Sequence, residues 1–385
     1  MLFSDVLGHN HLKNHLVTSA ERGRIPHAQL FVGSYGSGIL STAIAYARYI
    51  LCDINDSKKN EDIKACHAKL DSLSHPDLHF AFPVTTNSKI KKNPSCNLFM
   101  SEWMIFIKQN SYANVFDWYQ YLGVDNKQGQ IGVNEATDIL KKLSLKSYEG
   151  GYKIMIIWGA DKLNSAAANK LLKLIEEPPD KTLMILLAEE EEKLLQTIRS
   201  RCQVLHFPLL SDAIIAEGLI KNESSTRDIA LQIARQAEGN YNKALHLLKN
   251  DGEDQAFEEW FISWVRSAFK AKGNKAAIHD LIKWSEGIAG SGREVQKRFL
   301  NYCTDFFRQA LLLNYGAEEL VFLTPNSKNF DLTKFAPFVH GANIINIVEE
   351  LEKARLHIER NGNPKVIFTD LSIKLTRLLH TKESL

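Results

Sequence analysis

The stretch LFVGSYGSGILSTAIAYA, Leu30 to Ala47, passes from an apolar strand pattern through a glycine-rich turn into an alanine-rich helix. That is the order of a phosphate-binding loop, in which glycines bring backbone N–H groups to the phosphates at a helix N-terminus. In the pattern G-x-x-x-x-G-K-[ST], Gly33 and Gly38 take the two glycine positions, with Gly36 between them. The next two positions hold Ile39 and Leu40, where the pattern needs a lysine for charge and a hydroxyl for Mg²⁺. Ser41 and Thr42 come one and two places late, and each helical step of about 100° turns them away from a metal. Two readings stay open on this stretch: a strand–turn–helix corner that needs glycines for packing, and a nucleotide site stripped of its chemistry.

Working outward, five short apolar runs read as buried strands: AQLFV (28–32), DLHFAF (77–82), KIMIIW (153–158), TLMILLA (182–188) and QVLHF (203–207). Helical patterns separate them, so the expectation is a parallel α/β sheet covered on both faces within residues 1–208. The connection after the second run is long. It carries a basic loop with Lys89, Lys91 and Lys92, read as solvated, and an aromatic-rich stretch, 98–122, read as one or two helices laid on the domain. Residues 209–250 read as a small helical unit and 251–385 as helices throughout, with Trp260 and Trp264 one turn apart on an apolar core face.

The chain has 385 residues, 44% hydrophobic and 24% charged, with a formal charge of +2, enough for two or three domains with their own cores. Such a balance gives no support to a dedicated nucleic-acid or membrane-surface binder. The five cysteines, Cys52, Cys66, Cys96, Cys202 and Cys303, are odd in number and scattered, which reads as free thiols in a reducing compartment. The opening residues lack the apolar core of a secretory signal, and no run approaches the ~18 apolar residues of a membrane span. The expected location is the cytoplasm.

Three further places bear on nucleotide chemistry. The third run ends in Trp158-Gly159, where an ATPase strand would deliver an Asp-Glu pair to Mg²⁺ and the attacking water. Asp161 follows in the turn before a helix and reads as an N-terminal cap or dipole partner. In NSAAANKLLKLIEEPP, Asn164 or Ser165 caps a helix that Pro178-Pro179 stops, and Glu176-Glu177 at its end read as solvated or partner-facing. Ser200-Arg201-Cys202 then sits between a helix and the last strand, where an arginine is placed to reach into a neighbouring subunit and stabilise charge on a transferring phosphate.

Taken together, GRIPHAQLFVGSYGSG, HPDLHFAFP, NKLLKLIEEPP and SRC resemble the delta-prime family of bacterial DNA polymerase III clamp-loader subunits, within the AAA+ class. The resemblance covers most of residues 1–210, and RNGNPK (360–365) looks like part of that family's C-terminal collar. It implies a RecA-like AAA+ domain (1–208), a helical lid (209–250) and a helical collar (251–385) that oligomerises. It also implies a subunit that does not hydrolyse ATP, acts as a stator and offers Arg201, flanked by Ser200 and Cys202, to a gamma/tau motor subunit in trans. The implied partners are the gamma/tau and delta subunits, with the sliding clamp and primer-template DNA met through the complex. At the position where motors carry a lid arginine, EGNYNKALHLL has Asn242. The glycines Gly33, Gly36 and Gly38 leave room for a weakly held structural nucleotide.

Family members commonly carry a Cys₄ zinc module after the first helix. The matching positions here hold Cys52, Glu61, Lys64 and His67, with Cys66 beside the last and His75 as a distant candidate. Lys64 in the middle of that set argues against zinc, so no metal and no cofactor is expected. Two rival readings remain: a divergent, active AAA+ motor, which needs a substitute cation near Ile39 and acidic ligands near Trp158, and a stand-alone nucleic-acid-binding protein, which needs a basic face.

Overall fold

The computed structural model describes residues 1–54, 60–124, 127–249, 253–321, 325, 327 and 330–382. The chain divides into two units, one formed by Met1–Val124 with Gln128–Leu248, the other chiefly by Lys249–Leu385.

In the first unit the five apolar runs become strands β1 (Ala28–Val32), β2 (Leu78–Ala81), β3 (Lys153–Trp158), β4 (Thr182–Ala188) and β5 (Gln203–His206). They form one parallel sheet in the order β2-β3-β4-β1-β5, with Leu30 of β1 facing Leu186 of β4 and Val204 of β5. Every residue of β1, β3 and β4 is buried, which is why these strands read as continuous apolar runs and not as alternation. The helices between them are α1 (Asn10–Glu21), α2 (Ile39–Arg48), α3 (Asn60–Asp71), α4 (Met100–Gln109), α5 (Val115–Tyr121), α6 (Val133–Ser144), α7 (Ser165–Glu176) and α8 (Gln196–Arg199). The fold is the expected RecA-like α/β arrangement. In such sheets ligands sit beyond the carboxyl ends of the strands, where the strand order reverses. Here that is the ground shared by the turns after β1, β3 and β4.

The aromatic stretch 98–122 forms α4 and α5. Trp103 stacks on Phe82 at 4.2 Å between ring centres, and Trp118 meets both Phe82 and Trp103 edge-on, at 5.4 and 5.3 Å. Both indoles are fully buried. Lys89, Lys91 and Lys92 are exposed.

Three helices complete the first unit: α9 (Asp212–Glu223), α10 (Arg227–Ala237) and α11 (Tyr241–Lys249). They close on a small core of Ile215, Leu219, Ala230, Ala234 and Ala244, to which Tyr112 adds its ring.

The second unit, in its described residues, is helical: α12 (Glu253–Ala271), α13 (Lys275–Ala289), α14 (Arg293–Asn314), α15 (Leu332–Phe335), α16 (Ile344–Glu359) and α17 (Pro364–Leu378), with short 3₁₀ turns. Trp264 is its centre, stacked on Trp284 at 4.8 Å and donating Nε1–H to Ser372 Oγ at 2.8 Å, while Trp260 packs at the core's margin. RNGNPK is a helix stop and restart: Asn361 adopts φ 64° after α16, Asn363 caps α17, and Pro364 takes its first turn. Among the described residues no helix is long and apolar enough to cross a membrane.

Candidate functional site

The glycine loop leaves β1 at Gly33, makes a 3₁₀ turn over Tyr35–Ser37, and enters α2 through Gly38, whose φ of 97° suits glycine. Four of its N–H groups, the donors a bound phosphate would need, are directed at the chain's own acceptors. Gly33 N–H donates to the Ala188 carbonyl, Ser37 N–H to Ser34 and Gly38 N–H to Tyr35, at 3.1, 2.9 and 3.2 Å. Tyr35 N–H donates to a Glu189 carboxyl oxygen at 3.3 Å, and burial with the nearby Asp161 charge pushes the Glu189 pKa up to about 7.

The loop is also packed from outside. A Cβ on Gly36 would lie 1.7 Å from Asn240 Oδ1, and one on Gly33 would lie 2.7 Å from the Phe207 carbonyl oxygen. Asn240, just before α11, donates its Nδ2–H to Ser34 Oγ at 3.1 Å. His9 lies 2.7 Å by Nε2 from the Ser37 carbonyl, with its ring edge-on to Phe207. Burial lowers the His9 pKa, so the neutral ring donates there. Ile39 and Leu40 are buried, Ser41 Oγ meets Ser111 Oγ at 2.8 Å, and Thr42 Oγ1 donates to the Gly38 carbonyl. Neither hydroxyl turns to the loop's phosphate side.

At the end of β3, the fully buried Trp158 fills the place where an acidic pair would stand. Its ring centre is 5.2 Å from Tyr35 and 4.8 Å from Trp103, so the aromatic helix α4 and the glycine loop close over the same strand end. Asp161, expected to cap α7 or to partner its dipole, does neither within the helix's first turn, which Asn164 caps. Its carboxylate accepts from the Tyr35 hydroxyl at 3.1 Å and pairs with Lys162 at 2.8 Å, while Asn164 caps the helix by accepting from Ala167 N–H. Burial, with the Asp161 and Glu189 charges, keeps the Tyr35 hydroxyl protonated far above its ordinary range.

Asn242, at the lid position, is buried and joined to the aromatic stretch. It accepts from Asn110 Nδ2–H at 2.8 Å and donates to Asp117 Oδ2 at 2.7 Å, and His246 of α11 reaches the other Asp117 oxygen at 3.0 Å. Burial works against the Asp117 charge, but His246, the Asn114 N–H and Asn242 outweigh it and hold the carboxyl below the usual carboxylate range. Asp117 also closes a capping box with Asn114 at the start of α5. This clasp was missed from the sequence. The pattern Asn-x-x-Asp at 114–117 marks the cap, but nothing local marks its partner on α11.

Ser200, Arg201 and Cys202 occupy the turn between α8 and β5. The Arg201 guanidinium is partly exposed and held within the chain: Nη2 lies 2.8 Å from Glu176 Oε1, and Nη1 donates to the Thr197 carbonyl at 2.9 Å and to Ser200 Oγ at 3.4 Å. Glu176 is therefore paired to Arg201 within its own chain, where the sequence suggested a solvated or partner-facing acid. Cys202 packs against the core, and burial pushes its thiol up to about 12, so it is no nucleophile.

The zinc positions do not fit a tetrahedral site. Cys52 and Cys66 form a disulfide with Cα atoms 5.8 Å apart, which corrects the expectation of free thiols for these two; Cys96, Cys202 and Cys303 are free. Cys52 sits in the π-helical turn Tyr49–Asp53 and Cys66 on α3, Asn60–Asp71. Glu61 and Lys64 are exposed, and His67 is held between Arg48 Nε, at 2.9 Å, and Asp53, at 3.1 Å. Cys66, His75 and Glu149 do gather within 4.8 Å, but the Cys66 sulfur is spent in the disulfide and His75 Nε2 faces Glu149 at 3.3 Å.

The family model for the DNA polymerase III delta subunit matches residues 8–211. The delta' subunit of Bacillus subtilis (strain 168) is 29% identical over 236 residues, covering 61% of this chain and 58% of that protein. The delta' subunit of Escherichia coli (strain K12) is 26% identical over 237 residues, again 61% and 58%. The tau subunit of Bacillus subtilis is 28% identical over 255 residues, 64% of this chain and 37% of tau. The chain thus matches little more than half the length of these delta' proteins. Its matched region holds the sheet, the glycine loop and Ser200-Arg201-Cys202, and the chain belongs to the delta-prime family of DNA polymerase III clamp-loader subunits.

Proposed function

We propose that this chain is a non-catalytic, delta-prime-like subunit of the DNA polymerase III clamp loader, which braces the assembly and lends Arg201 to the ATP site of a neighbouring motor subunit while the sliding clamp is loaded in DNA replication. The observation that carries this reading is the inward-turned glycine loop: four of its N–H groups donate within the chain, one of them to the Glu189 side chain. A loop of this kind keeps the strand–turn–helix course of a phosphate loop, lacks the lysine charge at Ile39, and has these four donors engaged within the chain. On this reading Gly33, Gly36 and Gly38 serve packing in a degenerate loop, and any nucleotide is held weakly.

The same reading divides the chain into a RecA-like domain over 1–208, a lid over 209–250 and a collar over 251–385. Its partners are the gamma/tau ATPase subunits and delta, and the clamp and primer-template DNA through them, in the cytoplasm. The active-motor alternative meets buried side chains at both places it needs: Ile39, where a cation is required, and Trp158, where acidic ligands are required.

The test is co-purification with the motor and delta subunits of the same organism, followed by ATP hydrolysis. The isolated chain is expected to show no Mg²⁺-dependent turnover. Arg201→Ala is expected to lower turnover by the assembled complex, since an arginine finger is worth about 10³-fold or more at the site it serves. Normal hydrolysis by the Arg201→Ala complex would remove the finger role, and hydrolysis by the pure chain would revive the motor reading.

A further inference from the structure

We infer that Glu176 is the positioning residue for Arg201: it holds the guanidinium folded back on its own chain and gives it up when another chain's phosphate arrives. This rests on the reading of Arg201 as a group offered in trans.

Glu176 is the last residue of α7, where a carboxylate faces the negative end of the helix dipole and is disfavoured unless a cation offsets it. Arg201 Nη2, 2.8 Å away, supplies that cation. Glu177, next in the chain, has no ion-pair partner among the described residues, so the two glutamates before Pro178-Pro179 do different things. The ion pair joins the end of α7 to the turn after α8, and in doing so couples NKLLKLIEEPP to SRC.

The guanidinium is tied at three points, Glu176, the Thr197 carbonyl and Ser200 Oγ. Besides Glu176, it donates to the Thr197 carbonyl one helical turn back, which draws the head toward α8 and away from full extension. To reach a phosphate on another chain the side chain must extend and leave these partners. A carboxylate within hydrogen-bond distance of the guanidinium also repels the incoming phosphate. Glu176 thus competes with the phosphate for the same N–H groups. The two side chains are 45% and 38% exposed, so the contest is mild, worth a factor of about 1.5 to 5 as for other exposed pairs.

The experiment uses complexes assembled with the motor and delta subunits, carrying Glu176→Gln, Glu176→Asp, Arg201→Ala or Glu176→Gln with Arg201→Ala, each checked for assembly by gel filtration. Initial rates over a range of ATP concentrations separate kcat from KM. Glu176→Gln is expected to raise kcat by about 1.5- to 5-fold with KM unchanged, because the finger acts on charge that develops in the transition state. Glu176→Asp keeps the charge and should stay near the parent rate. On the Arg201→Ala background Glu176→Gln should change nothing. A kcat at or below the parent in Glu176→Gln, or an effect that persists without Arg201, overturns the role of Glu176 and leaves Arg201 standing. An Arg201→Ala complex with parental turnover instead overturns the reading beneath it, and this inference with it.

Discussion

Gly36→Ala tests whether the glycine loop is held by this chain's own side chains. Gly36 does not have a positive φ, so alanine strains nothing in the backbone; the obstacle is Asn240 Oδ1, 1.7 Å from the added Cβ. Asn240 must swing away, losing its bond to Ser34 Oγ at 3.1 Å and the bond it accepts from Lys243 N–H at 2.9 Å, which caps the start of α11. Two such bonds, one of them a cap, are worth about 1–3 kcal/mol together. Against this, alanine restrains the unfolded chain and returns about 0.4–1 kcal/mol. A net loss of about 1–2 kcal/mol is expected. In an Asn240→Ala background the obstacle is gone, and Gly36→Ala should be neutral or slightly stabilising. The chain has two units, so the free energies are best read from native-state hydrogen exchange of peptides spanning 33–40 and 238–249, unit by unit. If the two substitutions add to within about 0.5 kcal/mol, Asn240 is not what closes the loop and the argument from packing fails.

Two other outcomes are expected. Asp117→Asn removes a charged acceptor of three hydrogen bonds and should loosen α11 by about 1.5–3 kcal/mol in hydrogen exchange at neutral pH. Because the Asp117 carboxyl is held below its ordinary value of 3.8, its contribution is complete above that value and fades as pH falls through the lowered one; the melting difference between parent and variant should therefore shrink in acid, and a gap that is constant from pH 7 to pH 3 would refute it. The Cys52–Cys66 disulfide spans 14 residues, and such a loop is worth about 3 kcal/mol, so a thiol reductant should lower the melting temperature of the parent and leave a Cys52→Ser, Cys66→Ser double variant unmoved. Equal sensitivity of both would deny the bond.

Where the local rule and the tertiary demand agree, the sequence was readable. The strands were found within a residue or so because a parallel strand buried on both faces is apolar along most of its length, as β1, β3 and β4 are but for Gln29, Lys153 and Thr182. Asn164 was legible as a cap because its partner, the Ala167 N–H, lies three residues on. Asp161 was misread for the opposite reason: its partner Tyr35 lies 126 residues away, and no local pattern competes with a good cap signal. The aromatic stretch showed its helices but not their task, since the Asp117 bonds cross 125 and 129 residues to α11. The cysteines followed the same logic: spacing cannot say that Cys52, in a π-helical turn, pairs with Cys66 on α3.

By itself the sequence determined what was missing at the loop and the strand end, because a lysine or an acidic pair is either written at a position or it is not: Ile39, Leu40 and Trp158-Gly159 could be read without coordinates. It determined the sheet for the reason that burial dictates composition. Tertiary structure alone decided what fills the space those losses left. Asn240 on Gly36, Glu189 at the Tyr35 N–H, Trp158 between Tyr35 and Trp103, and Glu176 on Arg201 are contacts between segments far apart in the chain. Their energy depends on distance in space and leaves no trace in the order of residues.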